Sequence, residues 1–283
     1  MTASQHMVQA NGLRFRTLVD GPPGGELVLM LHGFPEGAES WSKQLDALAN
    51  AGALAVAPDT RGYGLTDMPP KVEDYAIDNL VADVAALIKA FGRDSAHVAG
   101  HDWGAIVAWN FASAHPEMTK SLTVLSVGHP AAALEAARVD DEQRKASEYI
   151  GLFVIEGKAE EVLARDDFRW GRQIFGDAVP RATTEHFIHS IRRPGRLTAA
   201  LNYYRANFVP PREWANRAAG ITVSAPTVLL WGDHDPFLRR LQAEKTADRV
   251  QGDFRLEVLE DAGHWLQFER PEEVSRALIG AVR

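Results

Sequence analysis

One pentapeptide, Gly-His-Asp-Trp-Gly at residues 100–104, restricts the fold of this chain more than any other segment. The apolar run at 96–99 before it predicts a short buried strand, and the apolar stretch at 105–114 after it predicts a helix. The two glycines let the chain turn sharply between strand and helix, because they have no Cβ to collide with neighbouring backbone. The sequence therefore predicts a strand–turn–helix unit whose central residue, Asp102, is strained and projects its carboxylate outward.

Asp102 at the apex of this turn predicts nucleophilic chemistry. An ionised carboxylate attacks a saturated carbon without a base to remove a proton first, and the product is an alkyl ester on the side chain. The alternative is structural, because an aspartate directly before a helix is also a common N-cap. Three further segments favour the catalytic interpretation.

The first of these segments is a glycine-containing loop after an early strand. The apolar run at 27–31 leads into His-Gly-Phe-Pro-Glu at 32–36. A backbone N–H on such a loop is suited to stabilise an oxyanion, and the N–H of Trp103, directly after the nucleophile, is the expected second donor. Taken alone, the loop is equally compatible with an ordinary turn at the end of a strand.

The other two segments supply an acid and a histidine. A strand of the buried type at 227–231 leads into a turn that carries Asp233 and Asp235, and a strand at 255–259 is followed by His264. One of the two acids is expected to orient the histidine. The order nucleophile, acid, histidine is the one found in hydrolases whose nucleophile stands on a strand-to-helix turn.

Strand-like runs alternate with helix-like stretches along most of the chain, which predicts an α/β fold with a mostly parallel central sheet flanked by helices. The six runs are 27–31, 54–57, 96–99, 122–126, 227–231 and 256–259. The alternation stops between about 130 and 216, where charged, helix-prone sequence predicts an inserted α-helical cap, or lid. We therefore predict a core at residues 1–129 and 220–283 and a cap at 130–219.

Together these segments resemble the α/β-hydrolase superfamily over nearly the whole chain, and within it the epoxide hydrolases most. The resemblance rests on the motifs quoted above and on two others, Asp-Thr-Arg-Gly-Tyr-Gly at 59–64 and Leu-Asn-Tyr-Tyr-Arg at 201–205. It implies the α/β-hydrolase fold and hydrolysis of an ether bond, the epoxide ring, without a cofactor.

The resemblance also implies a role for each residue of a catalytic triad. Asp102 attacks an epoxide carbon. Asp235, which the family pattern selects over Asp233 by position in the turn, orients His264. His264 then activates the water that hydrolyses the ester. The amides of Phe34 and Trp103 hold the oxyanion, and a vicinal diol leaves.

Two cap tyrosines activate the ring oxygen in the family that this chain resembles. Tyr204, within the motif at 201–205, matches one of them directly. Leu152 occupies the nearest equivalent position for the other, and we expect Tyr149, one helical turn earlier, to reach the same pocket. Four further residues are predicted to contact the substrate in an apolar, partly aromatic pocket: His32, Pro35, Phe153 and Tyr203.

A dehalogenase with the same triad is the main alternative. Trp103 resembles the tryptophan with which haloalkane dehalogenases bind halide, but many of them carry asparagine where Phe34 stands. Haloacid-type relatives have arginines just after the nucleophile, where this chain has Trp103 and Ile106. The other alternative is a hydrolase-fold protein that binds a small molecule without turnover, against which the complete set of nucleophile, acid and histidine argues.

Composition excludes several other classes of protein. No apolar stretch approaches the roughly 18–20 residues that a membrane span needs, and residues 1–11 lack the character of a signal peptide. The chain has no cysteine, which fits a cytoplasmic protein, and its net charge of −8 argues against nucleic acid or an anionic membrane as a partner.

His186 and His189 lack a third ligand at suitable spacing, so we predict no metal. The expected partners are an apolar epoxide and water, for a monomer or homodimer.

Overall fold

An eight-stranded sheet forms the centre of the protein. The computed structural model describes residues 3–283, and its strands are β1 (Ser4–Ala10), β2 (Leu13–Asp20), β3 (Leu27–Leu31), β4 (Leu54–Pro58), β5 (Ala96–His101), β6 (Thr119–Leu125), β7 (Thr227–Gly232) and β8 (Phe254–Leu259). They lie in the order β1-β2-β4-β3-β5-β6-β7-β8. Pairing is parallel from β4 to β8 and antiparallel for β1 with β2 and β2 with β4. The prediction of a mostly parallel sheet is confirmed.

The hairpin of β1 and β2 was not among the predicted strands. Its turn is formed by Asn11 and Gly12, both at positive φ. Most side chains of β1 are exposed, because it is the edge strand, so the segment lacks the apolar run by which the six inner strands were recognised.

Helices cover the sheet and fill the long connection between β6 and β7. In chain order they are α1 (Ser42–Asn50), α2 (Ile77–Ala90), α3 (Trp103–Ala114), α4 (Pro130–Val139), α5 (Asp141–Ala146), α6 (Tyr149–Phe153), α7 (Lys158–Phe175), α8 (Arg181–Ile191), α9 (Arg196–Phe208), α10 (Pro211–Gly220), α11 (Arg240–Thr246), α12 (Leu266–Glu269) and α13 (Pro271–Val282). Short 3-10 helices occupy Ala38–Trp41, Val72–Tyr75, Pro116–Met118 and Ala247–Arg249. No helix within residues 3–283 is both long and apolar enough to cross a membrane.

Both faces of the sheet are buried, as the continuous apolar strands require. Successive side chains of β3 point to opposite faces, so Leu29 and Leu31 pack into one apolar cluster and Val28 and Met30 into another. The first cluster contains residues of α2 and α3, and the second contains residues of α1 and α13. The sheet therefore forms the middle layer of a three-layer core.

The seven helices α4–α10 occupy the segment for which a cap was predicted. Helix α9 is fastened to the core loop at residues 61–66 by side chains that donate to backbone carbonyls. Arg196 Nη1 lies 2.6 Å from the Thr66 oxygen, and the Tyr203 hydroxyl lies 2.8 Å from the Arg61 oxygen. These bonds fix the position of α9, and of Tyr204 on it, above the carboxyl ends of the strands. The domain boundaries themselves stay a prediction, and Met1 and Thr2 lie outside the described residues.

Candidate active site

The strand-to-helix turn at residues 100–104 has the predicted geometry. Asp102 lies between β5 and α3 with φ 49°, a value that non-glycine residues seldom adopt. A Cβ on Gly100 would lie 2.2 Å from the Gly104 oxygen, and one on Gly104 would lie 2.1 Å from the Leu31 oxygen. Both positions therefore need glycine. The Asp102 side chain makes no capping hydrogen bond to α3, so the N-cap alternative does not describe its contacts.

The loop after β3 positions the Asp102 carboxylate through a backbone hydrogen bond. The Phe34 N–H donates to Asp102 Oδ1 at 2.8 Å. This approach requires glycine at the preceding position, because a Cβ on Gly33 would lie 2.6 Å from the same oxygen. Trp103 is the first residue of α3, so its N–H has no acceptor within the helix. The two amides expected in an oxyanion hole therefore both lie beside Asp102. Trp103 follows it in the chain, and Phe34 contacts it from the loop after β3.

His264 connects the nucleophile to an acid on another strand. Its Nδ1 lies 2.7 Å from Asp235 Oδ2, and its Nε2 lies 3.8 Å from Asp102 Oδ2. The other Asp235 oxygen accepts hydrogen bonds from the N–H groups of Phe237 and Leu238 at 2.8 and 3.0 Å. Of the two acids in this turn, Asp235 is the one that meets the histidine, and Asp233 is exposed.

The two carboxylates dominate the electrostatics of this histidine. Burial alone would lower the pKa of His264, but the charge of Asp235, its hydrogen bond with the ring and the charge of Asp102 raise it to about 10. Burial alone would raise the pKa of Asp102, yet the charge of His264 holds that pKa below its ordinary value. In the resting protein at neutral pH, Asp102 is therefore an anion beside an imidazolium.

Two cap tyrosines share a cavity with this charged pair. Tyr149 and Tyr204 both line the space that Asp102 and His264 border, with their ring centroids 6.5 Å apart. Burial, reinforced by the negative charge of Asp102, raises the pKa of each phenol above its ordinary value. Both hydroxyls consequently stay protonated and able to donate. Tyr149, which the sequence predicts to reach this pocket from one helical turn before Leu152, borders the cavity.

The predicted substrate contacts divide into one that borders this cavity and three that do not. Phe153 forms part of its wall. The two ring nitrogens of His32 instead hydrogen-bond with the Gly33 carbonyl oxygen and the Thr60 N–H, at 2.9 and 3.0 Å. Tyr203 donates to the Arg61 carbonyl oxygen in the core loop and packs against the Trp103 ring, and Pro35 is buried. The structure therefore does not bring His32, Pro35 and Tyr203 to the cavity.

A buried polar cluster behind the nucleophile links three catalytic loops. His101 Nδ1 lies 3.1 Å from Glu36 Oε1, and His101 Nε2 lies 2.8 Å from the His264 carbonyl oxygen. Gln267 bonds to both Glu36 and His101, at 3.3 and 3.2 Å. Burial alone would raise the pKa of Glu36, but the neighbouring His101 and the hydrogen bond from the Ser40 hydroxyl hold that pKa below its ordinary value. Sequence reasoning assigned no role to Glu36 or Gln267, although Glu36 lies within a quoted motif.

The chain is similar over almost its whole length to several known proteins. A family model described as "Alpha/beta hydrolase family" matches residues 28–277. Epoxide hydrolase A of Mycobacterium tuberculosis is 35% identical over 98% of this chain and 96% of that protein. Epoxide hydrolase 3 of Xenopus tropicalis is 34% identical over 98% of this chain and 78% of that protein. The crystal structure of epoxide hydrolase A from Mycobacterium thermoresistibile, 34% identical, superimposes with a TM-score of 0.86 over 99% of this chain and 98% of that one.

The chain therefore belongs to the α/β-hydrolase family. Its relatives place it more narrowly in the epoxide-hydrolase-like branch, as the resemblance of the motifs implied. The fold class predicted from the sequence is thus confirmed.

Proposed function

We propose that this protein is an epoxide hydrolase that opens an apolar epoxide to a vicinal diol through an alkyl ester on Asp102. One observation carries the proposal. A carboxylate at the apex of the turn faces the same cavity as two protonated phenols and a histidine–aspartate pair. Ring opening needs a nucleophile on one side of the epoxide and an acid at its oxygen, and this arrangement supplies both.

In the first step, the free oxygen of the nucleophile attacks. Asp102 Oδ1 is bonded to the Phe34 N–H, whereas Oδ2 is available to form a bond to an epoxide carbon. The carbon–oxygen bond of the ring breaks, and its electron pair goes to the ring oxygen. That oxygen takes a proton from the hydroxyl of Tyr149 or Tyr204, and the proton of the His264 imidazolium replaces it on the phenol.

In the second step, water attacks the ester carbonyl. Ester formation removes the negative charge of Asp102, and with it one of the two charges that raise the His264 pKa. His264 thereby becomes a neutral base that takes a proton from water. The attack places negative charge on Asp102 Oδ1, and the Phe34 N–H already donates a hydrogen bond to this oxygen. We assign the Trp103 N–H as the second donor. The diol oxygen leaves with a proton from His264, and Asp102 returns its own proton to the histidine.

The test of this function is turnover of styrene oxide and of n-butyl bromide side by side, with diol and bromide both quantified. We expect diol from styrene oxide at a far higher kcat/KM than bromide release. Bromide without diol would identify a dehalogenase instead. Neither product, with an intact fold by circular dichroism, would favour a protein that binds without turnover.

Replacement of the cap tyrosines should slow ring opening selectively. We expect Tyr149→Phe and Tyr204→Phe each to lower the single-turnover rate of ester formation by roughly 10²-fold, and the double variant by roughly 10⁴-fold, because each removes a proton donor to the ring oxygen. Rapid-mixing kinetics monitored by tryptophan fluorescence measure this rate. Tyr203→Phe, whose hydroxyl bonds to the core loop, is the matched control. A Tyr149→Phe rate within twofold of wild type would leave the acid role to Tyr204 alone.

The two chemical steps should differ in their dependence on pH. Ester formation needs ionised Asp102, whose pKa lies below its ordinary value, and protonated tyrosines, whose pKa values lie above theirs. Its rate should therefore stay nearly constant between about pH 5 and pH 10. Ester hydrolysis needs neutral His264, so its rate should fall as pH decreases through the pKa of that residue in the ester, which lies below the resting value of about 10. Equal pH profiles for both steps would contradict this assignment.

Neutral epoxides should be preferred over charged ones. The cavity beside Asp102 is lined by aromatic and aliphatic side chains, with no lysine or arginine among the described residues that border it. A substrate carboxylate would be desolvated near Asp102 without a partner. We expect a carboxylated epoxide to show a kcat/KM at least roughly 10²-fold below that of a neutral one of similar size. Equal values would contradict the apolar assignment.

Two further expectations concern the protein as a whole. We infer a cytoplasmic location from the absence of cysteine. The triad, oxyanion donors and cap tyrosines all come from one chain, which is compatible with a monomer or a homodimer.

A further inference from the structure

The catalytic residues lie where two chambers of unequal size meet. Asp102, Tyr149, Tyr204, Phe237 and His264 border both chambers. We infer that the site selects epoxides with one bulky apolar substituent and rejects those that carry a bulky group on both ring carbons. The inference rests on the proposed epoxide hydrolysis and specifies its substrate class.

Aromatic rings form most of the wall of the small chamber. Phe34, Phe153 and Trp170 pack against one another, with ring centroids 5.3 to 6.0 Å apart, and Ile174 and Trp265 complete the wall. The cavity volume is about 90 Å³. For comparison, an apolar cavity of about 150 Å³ binds a benzene ring. A hydrogen atom or a methyl group therefore fits beside the epoxide in this chamber, and a phenyl group does not.

The large chamber has a different outer wall, to which helices α4 and α10 contribute. Its volume is about 250 Å³, and apolar residues dominate its far wall, among them Ala133, Leu134, Phe208 and Trp214. Trp214 also borders an open groove on the surface beside Val209 and Arg217. A phenyl group fits within this chamber, and a longer substituent is able to extend past Trp214 toward that groove.

The catalytic geometry assigns one ring carbon to each chamber. The epoxide oxygen must face the hydroxyls of Tyr149 and Tyr204, while Asp102 approaches from the opposite side. The substituents of the two ring carbons then point in opposite directions. In a trans-disubstituted epoxide one of the two substituents must enter the small chamber. The size of that substituent therefore decides whether the epoxide reaches the Asp102 carboxylate.

The experiment compares three neutral epoxides on the wild-type protein. We expect styrene oxide and trans-β-methylstyrene oxide to have kcat/KM values within about tenfold of each other, and trans-stilbene oxide to be roughly 10²-fold poorer than styrene oxide. Comparable turnover of styrene oxide and trans-stilbene oxide would overturn the inference while leaving epoxide hydrolysis intact. No turnover of any of the three would instead overturn the proposed function on which the inference rests.

Two tryptophan variants locate the discrimination within the site. Trp170→Ala opens the small chamber, and we expect it to raise the ratio of kcat/KM for trans-stilbene oxide to that for styrene oxide by at least about tenfold. Trp214→Ala removes a ring of equal size from the large chamber and should leave this ratio within about threefold of wild type. If Trp170→Ala does not fold, Ile174→Ala tests the same wall. A ratio that rises equally in the variants of both chambers would overturn the assignment.

Discussion

Asp102→Ala should abolish diol formation from styrene oxide, with a loss of at least about 10⁵ in kcat. The variant removes the atom that bonds to the epoxide carbon, and no other carboxylate among residues 3–283 borders the cavity to replace it. Steady-state diol formation measures the loss, and near-ultraviolet circular dichroism confirms that the aromatic packing of the cap persists.

The same variant has a second readout that does not depend on activity. Asp102 is one of the two carboxylates that raise the His264 pKa to about 10. In Asp102→Ala that pKa should fall, because only Asp235 remains to stabilise the imidazolium. Nuclear magnetic resonance titration of the His264 ring measures it. An unchanged His264 pKa would mean that the two side chains do not interact as the 3.8 Å separation implies.

His264→Gln should separate the two chemical steps. The amide cannot take a proton from water, so we expect ester hydrolysis to slow by roughly 10⁴-fold. Ester formation should fall by less than about tenfold, since the nucleophile and the tyrosines remain. The alkylated protein therefore accumulates, and intact-protein mass spectrometry after mixing with styrene oxide should show one added substrate mass on Asp102.

Asp233→Asn is the matched control for this variant, because Asp233 lies in the same turn as the triad acid but is exposed. It should turn over like wild type without accumulating ester. Wild-type turnover in His264→Gln would remove the histidine from the mechanism.

The inner part of the fold was predictable because both faces of its strands are buried. A strand such as β3, whose side chains all pack into one apolar cluster or the other, is a continuous apolar run in the sequence. The edge hairpin was missed because β1 is mostly exposed and therefore has no such run. Its signal lies in the turn, since Asn11 and Gly12 form the dipeptide that two-residue hairpins favour.

The catalytic order was predictable from the sequence because each triad residue follows a strand that is itself easy to recognise. Parallel strands end at the same edge of the sheet, so the residues after β5, β7 and β8 meet there. The cap offers no such rule. Trp170 borders the small chamber because α7 packs beside α6, and the sequence does not show which helices of the cap pack against each other.

The sequence likewise does not show which face of a cap helix borders the cavity. Tyr203 and Tyr204 are adjacent on α9, and the sequence places both near the nucleophile. Successive residues of a helix point about 100° apart, so only one of them is able to face the cavity. Tyr204 does so, and Tyr203 donates to the Arg61 carbonyl oxygen instead.

The most direct test of an ester on Asp102 is a single turnover of styrene oxide in oxygen-18 water, with enzyme in excess. Water attacks the ester carbonyl in the proposed mechanism, so the heavy oxygen should enter the Asp102 carboxylate, and the first diol should carry none from water. Mass spectrometry of the diol and of the peptide that contains Asp102 measures both. Oxygen-18 in the first diol and none in the peptide would show that water opens the ring directly, and would contradict the covalent mechanism.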